Sequence, residues 1–202
     1  MTMMLTSNDA SSLLVDRLCD KAREENIAVA YFYVDFAGRE EQSPTNMLGS
    51  LLKQVIGGLA TIPEEIRLAL QDQKKVIGGR GLRVAEIVKM LQTVTSLQRT
   101  FICVDALDEC AEGNQPEVLD SLRQILDKSP NTRIFLTARR HIRGEIERYL
   151  GPRAAILFIT LSNDDIVGYI RMRLGKDRCR DAMDGSLEAE IINSITTTIP
   201  ET

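Results

Sequence analysis

Apolar residues in this chain follow two rhythms. Short runs of consecutive apolar residues alternate with longer stretches in which apolar positions recur every three or four residues. The first rhythm marks strands buried on both faces, and the second marks helices with one buried face. Leu14, Val15, Leu18 and Ala22 predict a helix over 11–25. The run IAVAYFYVDF at 27–36 is β-branched and aromatic and predicts a buried strand. After a polar turn at 38–42, Ser43 followed by Pro44 marks a helix start, with a hydroxyl to cap and a proline where no N–H is needed. Leu48, Leu51, Leu52 and Val55 supply that helix's apolar face, and Gly57-Gly58 ends it. A helix is expected over 63–73, a flexible connection over 77–81, and then an amphipathic helix faced by Val84, Ile87, Val88, Leu91 and Val94. The remaining strands are expected at 100–104 (TFICV), 132–137 (TRIFLT) and 155–160. Between them lie a helix begun by Pro116 and another over 143–150. Ser162 with Asp165 reads as a capping box for a helix carrying Val167, Ile170 and Leu174, and a last helix covers 186–196.

Strands that alternate with helices imply right-handed crossovers and a parallel sheet covered on both faces, an α/β fold. In such sheets ligands bind where strands end at their carboxyl tips, so the residues just after each strand are where chemistry is to be sought. The strand pattern stops near Leu161, which divides the chain into an α/β domain at 1–161 and a helical segment at 162–202. There is no internal repeat.

Composition then narrows the class. Apolar residues make up 44% and charged residues 27% of 202, the balance of a globular protein, and the formal net charge of -4 gives no basic field for nucleic acid or a membrane surface. No apolar run approaches the roughly 18–20 residues of a membrane span, and the first eight residues do not read as a signal peptide. The four cysteines, Cys19, Cys103, Cys110 and Cys179, match no zinc spacing. A chain of this size needs no disulfide staples, so the expectation is a reducing, cytoplasmic setting.

The chemistry concentrates at TFICVDALDEC, 100–110. A buried strand delivers Asp105 to the sheet's carboxyl edge, small Ala106 leaves room beside it, and Asp108 and Glu109 follow. One carboxylate can hold a magnesium ion through water while another polarises a water attacking a γ-phosphate. The plainer reading is a strand that happens to end in Asp before an acidic loop; three carboxylates in five residues after a wholly apolar strand weigh against it. Arg139 and Arg140 follow the strand at 132–137, where a cation can neutralise a γ-phosphate or simply be solvated at a helix start. His141, the chain's one histidine, reads as a surface residue.

With these motifs in place, the sequence resembles a known family. DALDE after a buried strand is similar to the Walker B motif of NACHT domains, which belong to the STAND group of P-loop NTPases. LTARR resembles their sensor-1 segment, LSNDDIVGYI the opening of their helical subdomain, and YFYVDF their second strand. The nearest resemblance is to the nephrocystin-type N-terminal domain found in large fungal proteins, often with ankyrin repeats. The resemblance implies a P-loop NTPase-like sheet, ATP and magnesium as the family's ligands, and signal transduction through protein partners or self-association. It implies Asp105 as the magnesium-associated acid, Asp108 or Glu109 as the water-polarising acid, and Arg139 as the sensor.

The family's opening strand and G-x-x-x-x-G-K-[ST] loop have no counterpart here. The glycine cluster at 78–81 lacks the Lys-Ser/Thr ending, residues 1–10 contain no glycine, and the MMLT at 3–6 is short for a strand. Without the loop the phosphates lose their main donors. The chain is therefore expected to be a fragment or degenerate form of such a domain, unable to bind or hydrolyse ATP alone, and an Asp105→Ala change is expected to leave it unaltered. The alternative is a non-enzymatic interaction or oligomerisation module that retains the fold. A receiver-like domain fits less well, because no lysine follows the strands at 132–137 or 155–160.

Overall fold

Three of the four apolar runs pair. In a computed structural model of the chain, which describes residues 8–38, 41–75, 81–158, 163–175 and 185–198, β1 (Ile27–Tyr33), β2 (Arg99–Asp105) and β3 (Thr132–Leu136) form a parallel sheet in the order β1-β2-β3. Register runs from Ile27 opposite Arg99 to Tyr33 opposite Asp105, and from Thr100 opposite Thr132 to Val104 opposite Leu136. β2 is central because it is the most apolar of the three: every residue from Thr100 to Asp105 is buried.

Helices cover the sheet as βαβ crossovers require. Between β1 and β2 run α2 (Pro44–Gly57), α3 (Glu64–Lys75) and α4 (Val84–Leu97); α5 (Gln115–Lys128) joins β2 to β3, and α6 (Arg143–Leu150) follows β3. Ala30, Ile102, Ile134 and Leu136 bury one face of the sheet in a core shared with Leu48 of α2, Leu91 of α4, Leu122 of α5 and Ile146 of α6. α1 (Asn8–Glu24) packs on β1 and β2, with Val15 buried. The start of α2 follows the sequence expectation, as Ser43 accepts the Asn46 N–H at 3.3 Å and Pro44 fills the first turn.

The strand expected at 27–36 ends early. Val34 still donates its N–H to the Asp105 carbonyl, but Asp35 turns the chain by accepting the Ala37 N–H, and Gln42 clamps both the N–H and the C=O of Asp35. The fourth strand is a clearer correction. Of 155–160, the described residues up to Phe158 are not a strand, and the other two lie outside the described residues. Apolar content alone does not make a strand; a neighbouring edge must accept and donate the ladder bonds. Among the described residues no backbone hydrogen bond joins 154–158 to β3. Instead, Ile156 packs on the core, and the Phe158 ring lies 5.4 Å from the Arg140 guanidinium carbon and 5.0 Å from that of Arg143.

Contacts divide the chain into two units, Met1–Phe158 and Ile159–Thr202. In the second, α7 (Asn163–Gly175) and α8 (Gly185–Thr198) pack together, with Ile170 buried and Arg171 paired to Glu188 at 3.4 Å. Ser162, half of the expected capping box, lies outside the described residues, as do 77–80 of the expected flexible connection. Among the described residues no helix is long and apolar enough to cross a membrane.

Candidate functional site

The carboxyl ends of β2 and β3 meet α1 at one carboxylate. Asp105 is the last residue of β2 and only 6% exposed. Its Oδ1 accepts hydroxyl hydrogen bonds from Ser11, in the second turn of α1, and from Thr137, just beyond β3. Three elements distant in sequence are thus tied at the tip of the central strand. A buried carboxylate left without donors would be costly, and the two hydroxyls supply them.

The turn after Asp105 is unusual. Ala106 has φ 53° and ψ 46°, a left-handed conformation that costs a residue with a Cβ roughly 1–2 kcal/mol. Thr137 holds it there: its Oγ1 accepts the Ala106 N–H at 2.8 Å and its C=O accepts the Leu107 N–H at 2.9 Å. The small side chain read from the sequence as room for a ligand thus sits where a larger or β-branched one would strain the turn. The left-handed residue throws Asp108 and Glu109 back toward the loops after β1 and β3.

Asp108 and Glu109 are held by Arg139. The Arg139 N–H donates to Asp108 at 3.0 Å, while its guanidinium lies 3.4 Å from Asp108 and 3.7 Å from Glu109. The Asp108 side chain is 4% exposed and that of Arg139 73%, so the cation caps a nearly buried acid from the solvent side. Glu109 also accepts the Phe36 N–H at 3.3 Å, which links the loop after β1 to the acidic turn. Gln115, buried at the start of α5, braces the turn from behind through the carbonyls of Cys110 and Asp108.

Of the four residues singled out in the sequence, Asp108, Glu109 and Arg139 are joined by direct contacts, while Asp105 is tied to Ser11 and Thr137 at the same end of the sheet. Arg140 turns away to Phe158, and His141 is exposed in the short turn that follows. Sequence reasoning missed Ser11, Thr137 and Gln115 as parts of the site. Thr137 carried a usable signal, a hydroxyl one residue past a buried strand. Ser11 beside Ser12, and Gln115 at a helix start, carried none. Burial of Asp105 on two hydroxyls argues for a structural role that the sequence did not suggest.

For a magnesium ion, the donor set around Asp105 is suitable in kind: one carboxylate and two hydroxyl oxygens, all hard ligands. Among the described residues no group of three or more His, Cys, Asp or Glu side chains is placed to hold a metal. A cavity of about 10 Å³ lies at Asp105, between Ser11 and Leu14 of α1 and Tyr31, Tyr33 and Thr137 of the sheet. That is the room of about one water molecule.

Comparison with known proteins identifies the family and the fold. The family model described as nephrocystin 3, N-terminal, matches residues 10–139, well over half of the chain. No curated protein matches. Among solved structures, the chain is similar to a Walker-type ATPase of Pyrococcus abyssi (15% identity, TM-score 0.52, covering 96% of this chain and 57% of that one). It is also similar to the Aeropyrum pernix Orc1 protein in complex with DNA (16%, TM-score 0.50, 87% and 42%) and to Cdc6p from Pyrobaculum aerophilum (14%, TM-score 0.50, 85% and 42%). At such identities the likeness is one of fold, a P-loop NTPase-like α/β fold, and the chain spans about half the length of these structures.

Proposed function

The chain belongs to the nephrocystin 3 N-terminal family, and from that premise we propose that it is the acid-and-sensor part of a NACHT-type nucleotide-binding signalling domain. One observation carries the reading. Asp105, Asp108, Glu109 and Arg139 converge at the carboxyl edge of a parallel sheet, where such folds bind ligands. Asp105, with the hydroxyls of Ser11 and Thr137, would hold the magnesium ion through water. That ion would supply charge neutralisation at the phosphates. Glu109, a third exposed, is better placed than nearly buried Asp108 to orient a water. Arg139 is the cation that can exchange these carboxylates for a phosphate.

The phosphate cradle is the part this reading lacks. Calorimetry of ATP against the 202-residue chain is expected to show no binding with or without magnesium. Joining a strand and a GxxxxGK[ST] loop ahead of α1 is expected to confer magnesium-dependent binding that Asp105→Asn weakens at least ten-fold. Micromolar magnesium-dependent binding by the unmodified chain would overturn the first expectation, and a grafted chain indifferent to Asp105 would overturn the role of the acid.

A second reading, a non-enzymatic interaction module, is favoured by one feature: the carboxylates already find donors within the chain. It expects the grafted chain to remain unable to bind nucleotide.

A further inference from the structure

The outer edge of β1 is closed by a side chain. Val34 donates its N–H to the Asp105 carbonyl, so the even-numbered residues of β1 face β2 and the odd-numbered ones turn their N–H and C=O groups outward. The outward groups of Tyr31 are taken not by a strand but by Gln54 of α2. Its Oε1 accepts the Tyr31 N–H at 3.0 Å, and its Nε2 donates to the Tyr31 carbonyl at 2.8 Å. Nε2 also reaches the Ser50 hydroxyl oxygen, one turn earlier in the same helix, at 3.4 Å. Only one orientation of the amide satisfies all three bonds.

The composition of β1 gives such a closure a purpose. The strand reads IAVAYFY, with no charge, proline or glycine. Charges, prolines and bulges are the usual means by which an edge strand avoids its own copies. A seven-residue uncharged run of β-branched and aromatic residues is instead the composition that pairs with itself. Tyr31 and Tyr33 lie exposed with ring centroids 5.6 Å apart, so a paired copy would also gain aromatic contacts across the seam. A primary amide has the donor and acceptor of a peptide, so Gln54 makes at one residue the bonds that a neighbouring strand would make. A tether for α2 is a weaker account of it, because Met47, Leu48, Leu51 and Val55 already bury that helix in the core.

We propose that β1 is a latent self-pairing edge, whose partner is β1 of a second copy of this chain, and that Gln54, oriented by Ser50, is the plug that keeps it closed. The pairing held off is antiparallel about a two-fold axis at Tyr31, so that one edge serves both copies. That axis sets Tyr31 opposite Tyr31 and Val29 opposite Tyr33. The outward N–H and C=O of Tyr31 are the centre of such a ladder, so a plug at this one residue interrupts it on both sides. The proposal is independent of nucleotide binding.

The test follows amide hydrogen exchange by NMR in the full chain at rising protein concentration. In the native chain the Tyr31 amide is expected to exchange slowly at every concentration, and the Val29 and Tyr33 amides are expected not to respond to concentration. Gln54→Met keeps the length and helix propensity of the side chain and removes its amide. In that variant the Tyr31 amide is expected to exchange at least ten-fold faster when dilute. On concentration, protection is expected to return at Val29, Tyr31 and Tyr33 together, in step with the dimer fraction seen by sedimentation. Unaltered exchange at Tyr31 in the variant, or a loss that concentration does not restore, would overturn the proposal. Protection that returns over the whole chain would show general aggregation and would overturn it too. So would protection of Val29 and Tyr33 that rises with concentration in the native chain, because the edge would then pair despite the amide. Collapse of protection across β2 in the variant would make Gln54 a requirement of the fold rather than a plug, and the proposal would fall.

Discussion

At the scale of single residues, Asp105 does structural work whatever the chain binds. Its carboxylate takes two hydroxyl donors from elements far apart in sequence. Asp105→Ala is expected to destabilise the chain by about 2–4 kcal/mol, since it deletes two charge-assisted bonds at a buried position. Urea unfolding would read this as a lower midpoint at unchanged slope; a shift within error would show that the hydroxyls are satisfied elsewhere. Two residues before it, Cys103 lies in the same strand, and burial, with smaller contributions from Cys19 and Asp105, pushes its thiol from 9.0 up to about 12. Below pH 9 the thiol is protonated in both folded and unfolded chains and its contribution is complete. Above pH 9 the unfolded chain ionises first, so stability falls as pH rises toward 12, at a limit of about 1.4 kcal/mol per pH unit. The difference in unfolding free energy between Cys103→Ala and the native chain should therefore change in the variant's favour only above pH 9. A difference flat across that range would place the thiol in contact with water. The acids themselves were legible in the sequence, because a strand-tip Asp with two following acids is a pattern of residue types. Their partners were not: Ser11 and Thr137 reach Asp105 from 94 and 32 positions away, and no local pattern encodes such a meeting.

At the scale of elements, local chemistry and long-range pairing part company. Ser43 and Pro44 marked the start of α2 from sequence alone, because a cap acts within three residues. Ser43→Ala is expected to cost about 1 kcal/mol, read as a fall of roughly 2–4 °C in melting temperature for a protein of this size. No change would mean that Pro44 and the packing of Leu48, Leu51 and Leu52 fix the helix start without the cap. The fourth strand was misread for the complementary reason. The 154–158 segment is as apolar as β3, but a strand is a relation between two edges, and sequence shows only one of them. β1 ended early because Asp35 and Gln42, seven residues apart, clamp the turn. The positive φ of Ala106 was equally hidden, since alanine gives no sign of a left-handed turn; the donor and acceptor of Thr137 impose it.

At the scale of the whole molecule, stability is concentrated in the first unit. The core cluster draws every one of its buried members from residues 28–150, while Ile170 is the one buried apolar residue among those described in α7 and α8. Two short helices that leave Tyr169, Met172, Leu187 and Ile195 exposed do not bury enough apolar surface to offset the entropy of ordering them. A chain ending at Phe158 is therefore expected to unfold cooperatively with a melting temperature within about 3 °C of the full chain, the shift that ~1 kcal/mol produces at this size. A peptide of residues 159–202 is expected to show little helix alone, because helices of 13 and 14 residues are marginal without a packing partner. Differential scanning calorimetry of the first and circular dichroism of the second decide the matter. If truncation lowers the melting temperature by 10 °C or more, the second unit contributes to the first one's core, and the apolar faces of α7 and α8 are part of one cooperative structure. If both expectations hold, the α/β unit is the stable platform on which Asp105, Asp108, Glu109 and Arg139 are mounted, and α7 and α8 are free to take their order from whatever covers Tyr169, Met172, Leu187 and Ile195.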